Sequence, residues 1–407
     1  MYERIVIVGA GQAAAQAVET LRRRGFTGRI VLAGAEEHLP YQRPPLSKKF
    51  LAGTLERERL TLRPAQHYAD HAVELQLGRR AMELDRSAQR IRLDDGVEIA
   101  YDALLLATGA RPRMLAAPGG ALDGVHYLRT IADVERLRPH LLPGRRLVII
   151  GGGYIGLEVA ATCREHGLDV TVLEMTERVM SRVVCAPISA FFEAEHARRG
   201  VRILCGMRVQ ALIEHPGTTQ VRAVRCEDGS EHAADLVLVG VGAAAEDSLA
   251  AAAGLDCVNG IVVDERCRTS DPHIFAAGDC TNHPSLHYGY RVRLESVDNA
   301  FEQGASAALA MLGEAVPHDK VPWFWSDQYD LKLIIVGLCT GADAAVARGQ
   351  PASRSFSVCY LRGGELIAVD TVNNVKDQMA ARKLIAARMR PDPAKLADPA
   401  VPLRDCA

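Results

Sequence analysis

No stretch of this chain approaches the roughly 18–20 consecutive apolar residues that a membrane-spanning helix needs, so a bilayer protein is not expected. An excess of either charge is also missing. Forty-eight Lys and Arg stand against 50 Asp and Glu, a net charge of -2, and wholesale attraction to nucleic acid or anionic lipid is not expected either. The ten cysteines include no CxxC pair; the nearest two are Cys257 and Cys267, which leaves no spacing for zinc, an iron–sulfur cluster or a redox disulfide. Free, buried thiols in a reducing cytosol are the expectation. Met1-Tyr2-Glu3-Arg4 leads straight into a strand without the parts of a signal peptide, which points to a cytoplasmic protein. The 407 residues are 48% hydrophobic and 24% charged, ordinary globular usage in a length that suits two to four domains.

One pattern occurs twice. Ile5-Val6-Ile7-Val8 is a short β-rich run that breaks into Gly9-Ala10-Gly11-Gln12-Ala13-Ala14 and a helix-forming stretch to Arg24. Leu147-Val148-Ile149-Ile150 breaks in the same way into Gly151-Gly152-Gly153-Tyr154-Ile155-Gly156 and a helical stretch through His166. Gly25 and Gly167 stop the two helices, and Ile30-Val31-Leu32 and Val170-Thr171-Val172-Leu173 supply the next strands. Each unit is βαβ and opens a dinucleotide-binding fold. The first glycine makes the tight turn, the second lets a pyrophosphate approach the backbone, and the third position stays small so that helix packs on strand. The phosphates then lie at the positive end of the helix.

The acidic residue closing each unit separates NAD from NADP. Glu174 ends the second strand, 18 residues after Gly156, where its carboxylate would accept from a ribose 2′-OH and repel a 2′-phosphate. In the first unit the stretch is Gly34-Ala35-Glu36-Glu37, with the carboxylate displaced by one residue to Glu36. Two further strands fit the first nucleotide site: one ends in the turn Thr108-Gly109, and Ile274-Phe275-Ala276-Ala277-Gly278-Asp279 delivers an aspartate at a carboxyl edge, where open α/β sheets bind ligands. The predicted class is therefore α/β, with two Rossmann-like dinucleotide-binding domains. The first is discontinuous over 1–112 and 242–316, the second spans 113–241, and a small α+β domain covers 317–407. That last part is predicted to hold strands at Lys332–Val336 and Phe356–Leu361, a helix at Met379–Arg390 and a frayed, proline-rich tail.

Four stretches carry a family resemblance: Tyr41-Gln42-Arg43-Pro44-Pro45-Leu46-Ser47-Lys48, Gly156-Leu157-Glu158, Arg293 through Ala300, and Pro322-Trp323-Phe324-Trp325-Ser326-Asp327-Gln328. Over essentially its whole length the chain resembles the two-dinucleotide-domain flavoprotein reductases that serve bacterial Rieske dioxygenases and class I haem monooxygenases. The resemblance implies FAD in the first site and NADH in the second. It places Gly9, Gly11, Ala13 and Ala14 at the FAD pyrophosphate, Ala35 and Glu36 at the ribose, and Ala81 at the adenine. Arg43, Thr108, Gly109, Arg129, Asp279 and Val297 would complete the FAD site. Gly151, Gly153, Tyr154, Ile155, Gly156, Glu174, Arg182 and Gly240 would line the NAD site. Lys48 would lie beside the flavin, and Glu158 would reach toward the nicotinamide and pair with Lys48. The chain departs from the family pattern at Ala35, at Ile334 and in the loop Val241-Gly242-Ala243-Ala244-Ala245-Glu246-Asp247.

What the resemblance implies chemically is electron conversion: NADH gives up two electrons together, a 2Fe–2S ferredoxin accepts one, and flavin connects the two. Such a route needs no protein nucleophile, and the first cysteine is Cys163. Trp325 would stack near the flavin and the electron exit, or is a core aromatic of the last domain. His287, Arg291 and Arg293 would steer an acidic ferredoxin, or form a solvated face. The alternatives are a rubredoxin reductase or NADH oxidase and, from another class, a redox-signalling flavoprotein resembling apoptosis-inducing factors. No long basic extension favours the last.

Overall fold

Apolar runs as unbroken as Ile5–Val8 and Leu104–Leu106 belong in a parallel sheet covered on both faces. The computed structural model, which describes residues 2–314 and 316–406, places them there. Five parallel strands lie in the order Ile274–Ala276, Ala103–Leu106, Arg4–Val8, Arg29–Gly34, Val73–Leu77. Because strand side chains alternate, Ile5, Ile7, Ile30, Leu32, Leu105 and Phe275 pack on one face against the helices Gln12–Arg23 and Val297–Met311. Val6, Val8, Val31, Leu104, Leu106 and Ile274 pack on the other, with Leu84, Ile91, Leu93 and Ile99 of a three-stranded meander. The two helices cross closely because Gly304 has no side chain: a Cβ there would lie 2.3 Å from the carbonyl oxygen of Ala13.

The second glycine turn belongs to another parallel sheet, ordered Arg202–Cys205, Asp169–Glu174, Arg146–Ile150, Leu236–Val239, Val125–His126. An antiparallel meander, Val209–Glu214, Val221–Cys226 and Glu231–Ala233, covers one of its faces through Leu212, Val221 and Val224. The C-terminal sheet is antiparallel throughout, in the order Trp323–Gln328, Leu331–Gly337, Glu365–Val372, Phe356–Arg362, Ala344–Arg348.

The chain groups into two compact units. One holds the residues up to Gln42, Arg57–Arg111 and Ala243–Pro322; the other holds Arg43–Glu56, Pro112–Gly242 and the chain from Trp323 on. The Pro-Pro-Leu-Ser-Lys stretch, which sequence alone assigns to 1–112, thus packs with the second glycine turn, in the same unit as the C-terminal sheet.

Two local expectations fail in the last part. The helix runs Val375–Ala386, earlier than Met379–Arg390, because the Asn374 side chain caps it by accepting from Asp377 N. The tail is docked, with Leu396, Leu403 and Cys406 all buried. Buried Arg348 holds it: the guanidinium donates to the carbonyls of Leu396, Asp398 and Val401 and pairs with Asp377 at 2.9 Å. A proline-rich composition signals fraying only when nothing collects the freed carbonyls.

Candidate active site

The two glycine turns are built alike. Gly9 leaves its strand at φ +108 and Gly151 at φ +109. A Cβ at Gly9 would lie 2.1 Å from the Ala107 carbonyl oxygen, and one at Gly151 would lie 2.4 Å from that of Gly240. Only glycine combines that φ with so close an approach. Gly11 and Gly153 then stand at the N-caps of Gln12–Arg23 and Tyr154–Glu165, and neither helix has a side-chain cap or an acidic residue in its first turn. By contrast Val297–Met311 is capped by Ser296 and carries Asp298. The leading N–H groups at the glycine turns are thus left for an external anion, and both cradles suit a pyrophosphate. Ala14 and Gly156 occupy the small third positions; a Cβ at Gly156 would lie 2.2 Å from the Gly151 carbonyl oxygen.

In the first unit Ala35 is exposed, and Glu36 accepts a 2.7 Å hydrogen bond from the Tyr41 hydroxyl. Ala81 is half-buried at the start of its strand. Thr108 donates to the Glu246 carbonyl, and Glu246 N–H donates to the Gly109 carbonyl at 2.9 Å, so the departing loop is ordered, with Ala243–Ala245 a short strand. Asp279 follows a turn pinned by a residue the sequence reading missed: buried Gln303 accepts from both Gly278 N–H and Thr281 Oγ, each at 2.8 Å. Val297 opens the helix Val297–Met311, whose Ala300 lies against Gly278. The supposed basic patch does not form: His287 is buried and Arg293 pairs with Glu295 at 2.6 Å, leaving Arg291 exposed. His287 lies in the turn of the hairpin formed by Thr281–Ser285 and Tyr290–Val292, and Arg291 donates to Asn282 Oδ1 at 3.1 Å.

In the second unit Glu174 does more than end a strand. One carboxylate oxygen accepts from Gly152 N–H at 2.6 Å and the other from the N–H and hydroxyl of Thr176 at 2.8 Å, so it braces the turn. A carboxylate has about four lone-pair sites, which leaves acceptor capacity for a ribose hydroxyl. Ile155 is exposed at the start of the helix, and Arg182 is exposed with no ion-pair partner among the described residues. The Tyr154 ring packs on Phe324 with centroids 4.6 Å apart. Burial holds the Tyr154 phenol well above its usual range, and Asp370 reinforces the shift.

The same unit contains a buried charge pair. Lys48 Nζ lies 2.7 Å from Glu158 Oε2, with side chains 18% and 5% exposed. Ser47 also donates to Oε2 at 2.5 Å, while Ser326 donates to Oε1 at 2.7 Å. Lys48 follows a short 3₁₀ turn, Pro44–Ser47, whose prolines preset the backbone and whose Pro44 carbonyl accepts from Lys48 at 3.3 Å. Arg43 donates to the Arg129 carbonyl at 2.6 Å, which brings those two residues together. Trp325 stacks on Trp323, centroids 5.4 Å apart and planes at 28°, and stays half-buried. All ten cysteines are free; burial pushes the Cys163 and Cys359 thiols up to about 12, so neither supplies a thiolate.

Two anion cradles on parallel sheets, a carboxylate at the end of the strand beside one of them and a buried cation–carboxylate pair define a pyridine-nucleotide oxidoreductase that works without a cysteine pair. The chain belongs to the pyridine nucleotide-disulphide oxidoreductase family, whose model matches residues 3–304, and a Reductase C-terminal domain matches 323–407. It is 45% identical over 394 residues to rhodocoxin reductase of Rhodococcus erythropolis, covering 97% of this chain and 92% of that one. With putidaredoxin reductase of Pseudomonas putida it shares 43% over 406 residues, 99% of this chain and 96% of the relative. The solved covalent complex of putidaredoxin reductase with putidaredoxin superposes with a TM-score of 0.96 at 43% identity, over 99% of this chain and 97% of that one.

Proposed function

We propose that this chain is an FAD-dependent NADH:ferredoxin reductase supplying electrons to an oxygenase. The carrying observation is the duplicated glycine turn, one per parallel sheet, each presenting uncapped helix N–H groups to a pyrophosphate. FAD, when bound, accepts a hydride equivalent and releases electrons one at a time. The first unit would hold it through Gly9, Gly11, Ala13 and Ala14, with Thr108, Gly109, Asp279 and Val297 along the carboxyl edge. Ala35, Glu36 and Ala81 would flank the adenosine. In the second unit Gly151, Gly153, Gly156, Gly240 and Arg182 would hold the NADH pyrophosphate, and Tyr154 and Ile155 would offer apolar contact. Lys48, Arg43 and Arg129 would face FAD, Glu158 would orient the nicotinamide through Lys48, and Trp325 would serve the electron exit. The three-domain division into FAD, NAD and C-terminal parts follows this assignment.

Among the described residues no helix is long and apolar enough to cross a membrane. The free thiols fit a reducing cytoplasm. The deciding experiment is steady-state turnover of the FAD-loaded protein with NADH against a 2Fe–2S ferredoxin, a rubredoxin and oxygen. Preference for rubredoxin or oxygen, or no turnover with ferredoxin, overturns the reading.

Cofactor choice turns on Glu174. Glu174→Ala is expected to lower the NADH-over-NADPH ratio of kcat/KM about tenfold, the worth of a charge-assisted hydrogen bond plus the lost repulsion of a 2′-phosphate. An unchanged ratio removes Glu174 from recognition.

For the partner, the helix Val375–Ala386 offers what the 287–293 stretch does not. Val375, Lys376, Met379, Arg382 and Lys383 are exposed, and among the described residues Lys376 and Lys383 have no acidic partner. Arg382 lies over the Trp323 ring, 5.5 Å from its centroid. An acidic ferredoxin would be steered by such a face. Lys376→Glu with Lys383→Glu is expected to raise KM for ferredoxin about tenfold at low salt, leaving NADH-to-ferricyanide turnover unchanged. Equal ferredoxin KM values place docking elsewhere.

A further inference from the structure

We propose that a one-way hydrogen-bond relay running from Tyr329 through His196 and Gln328 to Ser326 positions Glu158 for its work on NADH. The proposal rests on the reading of Glu158 as a group of the NADH site. The links are Tyr329 Oη to His196 Nδ1 at 3.2 Å, His196 Nε2 to Gln328 Oε1 at 2.9 Å, Gln328 Nε2 to Ser326 Oγ at 3.2 Å and Ser326 Oγ to Glu158 Oε1 at 2.7 Å. Ser326, Gln328 and His196 are buried, as is Glu158.

The direction follows from the end of the chain. An ionised carboxylate only accepts, so Ser326 donates its hydroxyl proton to Glu158 and offers its oxygen to Gln328. Gln328 then turns its amide nitrogen to Ser326 and its carbonyl to His196. That carbonyl demands a proton on Nε2, which leaves Nδ1 to accept from the Tyr329 hydroxyl. Every donor points toward one carboxylate, and the imidazole tautomer is determined three links away.

The relay orients and does not conduct, since a carboxamide does not pass a proton along. Burial keeps the His196 ring neutral, pushing its pKa down to about 4; Arg199 acts in the same direction, while Gln328 and Glu195 oppose it. At the outer end Arg199 lies over the Tyr329 ring, 4.2 Å from its centroid, and holds the first donor in place. Strand alternation in Trp323–Gln328 is what sends Ser326 and Gln328 to the same side. Glu158 thus has one oxygen held by Lys48 and Ser47 and the other by the relay, which fixes the carboxylate plane.

The test uses the FAD-loaded protein. Ser326→Ala is expected to slow reduction of the bound flavin by NADH about tenfold in stopped flow, the loss of one hydrogen bond to a charged group. NADH affinity by titration stays within about threefold, and reduction by dithionite is unchanged. Ser326→Thr, which keeps the hydroxyl, restores the rate. Independently of any variant, imidazole 15N resonances of the unaltered protein should show His196 protonated on Nε2 and not titrating between about pH 5.5 and 8. Equal NADH reduction rates in Ser326→Ala and the unaltered protein overturn the relay, as does an Nδ1-protonated or titrating ring. Failure of NADH to reduce the unaltered protein would instead overturn the functional reading itself.

Discussion

Lys48→Met lowers the stability of the FAD-loaded protein by about 3 kcal/mol, and Glu158→Gln added to it returns most of that loss. The single change strands a carboxylate that is only 5% exposed, with two serine hydroxyls as its remaining donors. A buried charge without its partner is costly, whereas a neutral amide of the same shape can still hydrogen-bond to Ser47 and Ser326. Urea midpoints at fixed FAD concentration measure both variants, since bound cofactor itself raises the midpoint. On the proposed reading of Lys48 as the positive charge beside the flavin, the same substitution should slow flavin reduction by NADH at least about tenfold with FAD retained. A double variant no more stable than Lys48→Met, or an unaltered reduction rate, would show that the pair is neither a coupled unit nor part of the chemistry.

Arg348→Met costs about 3–5 kcal/mol in the C-terminal part and releases the tail. Arg348 and Asp377 form a pair 4% and 7% exposed, so removing the guanidinium leaves the Asp377 carboxylate, among the described residues, with the Ser357 and Asn374 donors. The carbonyls of Leu396, Asp398 and Val401 lose the guanidinium in the same step, Asp398 keeping the Val401 N–H. Limited proteolysis should then cut within 391–406 while the two parallel sheets resist. A variant that melts like the unaltered chain and shows no new cut would mean that the buried side chains Leu396, Leu403 and Cys406 suffice to dock the tail.

Both nucleotide turns are legible from residue order alone. A strand, two or three glycines at set spacing and a helix lie within about 30 residues, and the φ of Gly9 is a consequence of that local path. The doubly covered sheets are legible for a similar reason, since runs without polar alternation have no other stable place. The Lys48–Glu158 pair was reachable only through family resemblance, because no local rule joins residues 48 and 158. Ser326, Gln303 and His196 carried no signal of their own: a serine, a glutamine and a histidine on amphipathic elements look the same whether they face water or a buried carboxylate.

Composition misled where exposure and docking are decided by the fold. His287, Arg291 and Arg293 read as a steering patch or a solvated face, but the fold buries His287 and Arg293 pairs with Glu295. The proline-rich end read as loose until Arg348, some 50 residues back, collects its carbonyls. Residue order therefore settled the short-range geometry, in which backbone sterics and glycine leave few choices. Packing settled which charges are paired, which donors face Glu158 and which termini are held, because hydrogen bonds and desolvation act between groups that only folding brings together.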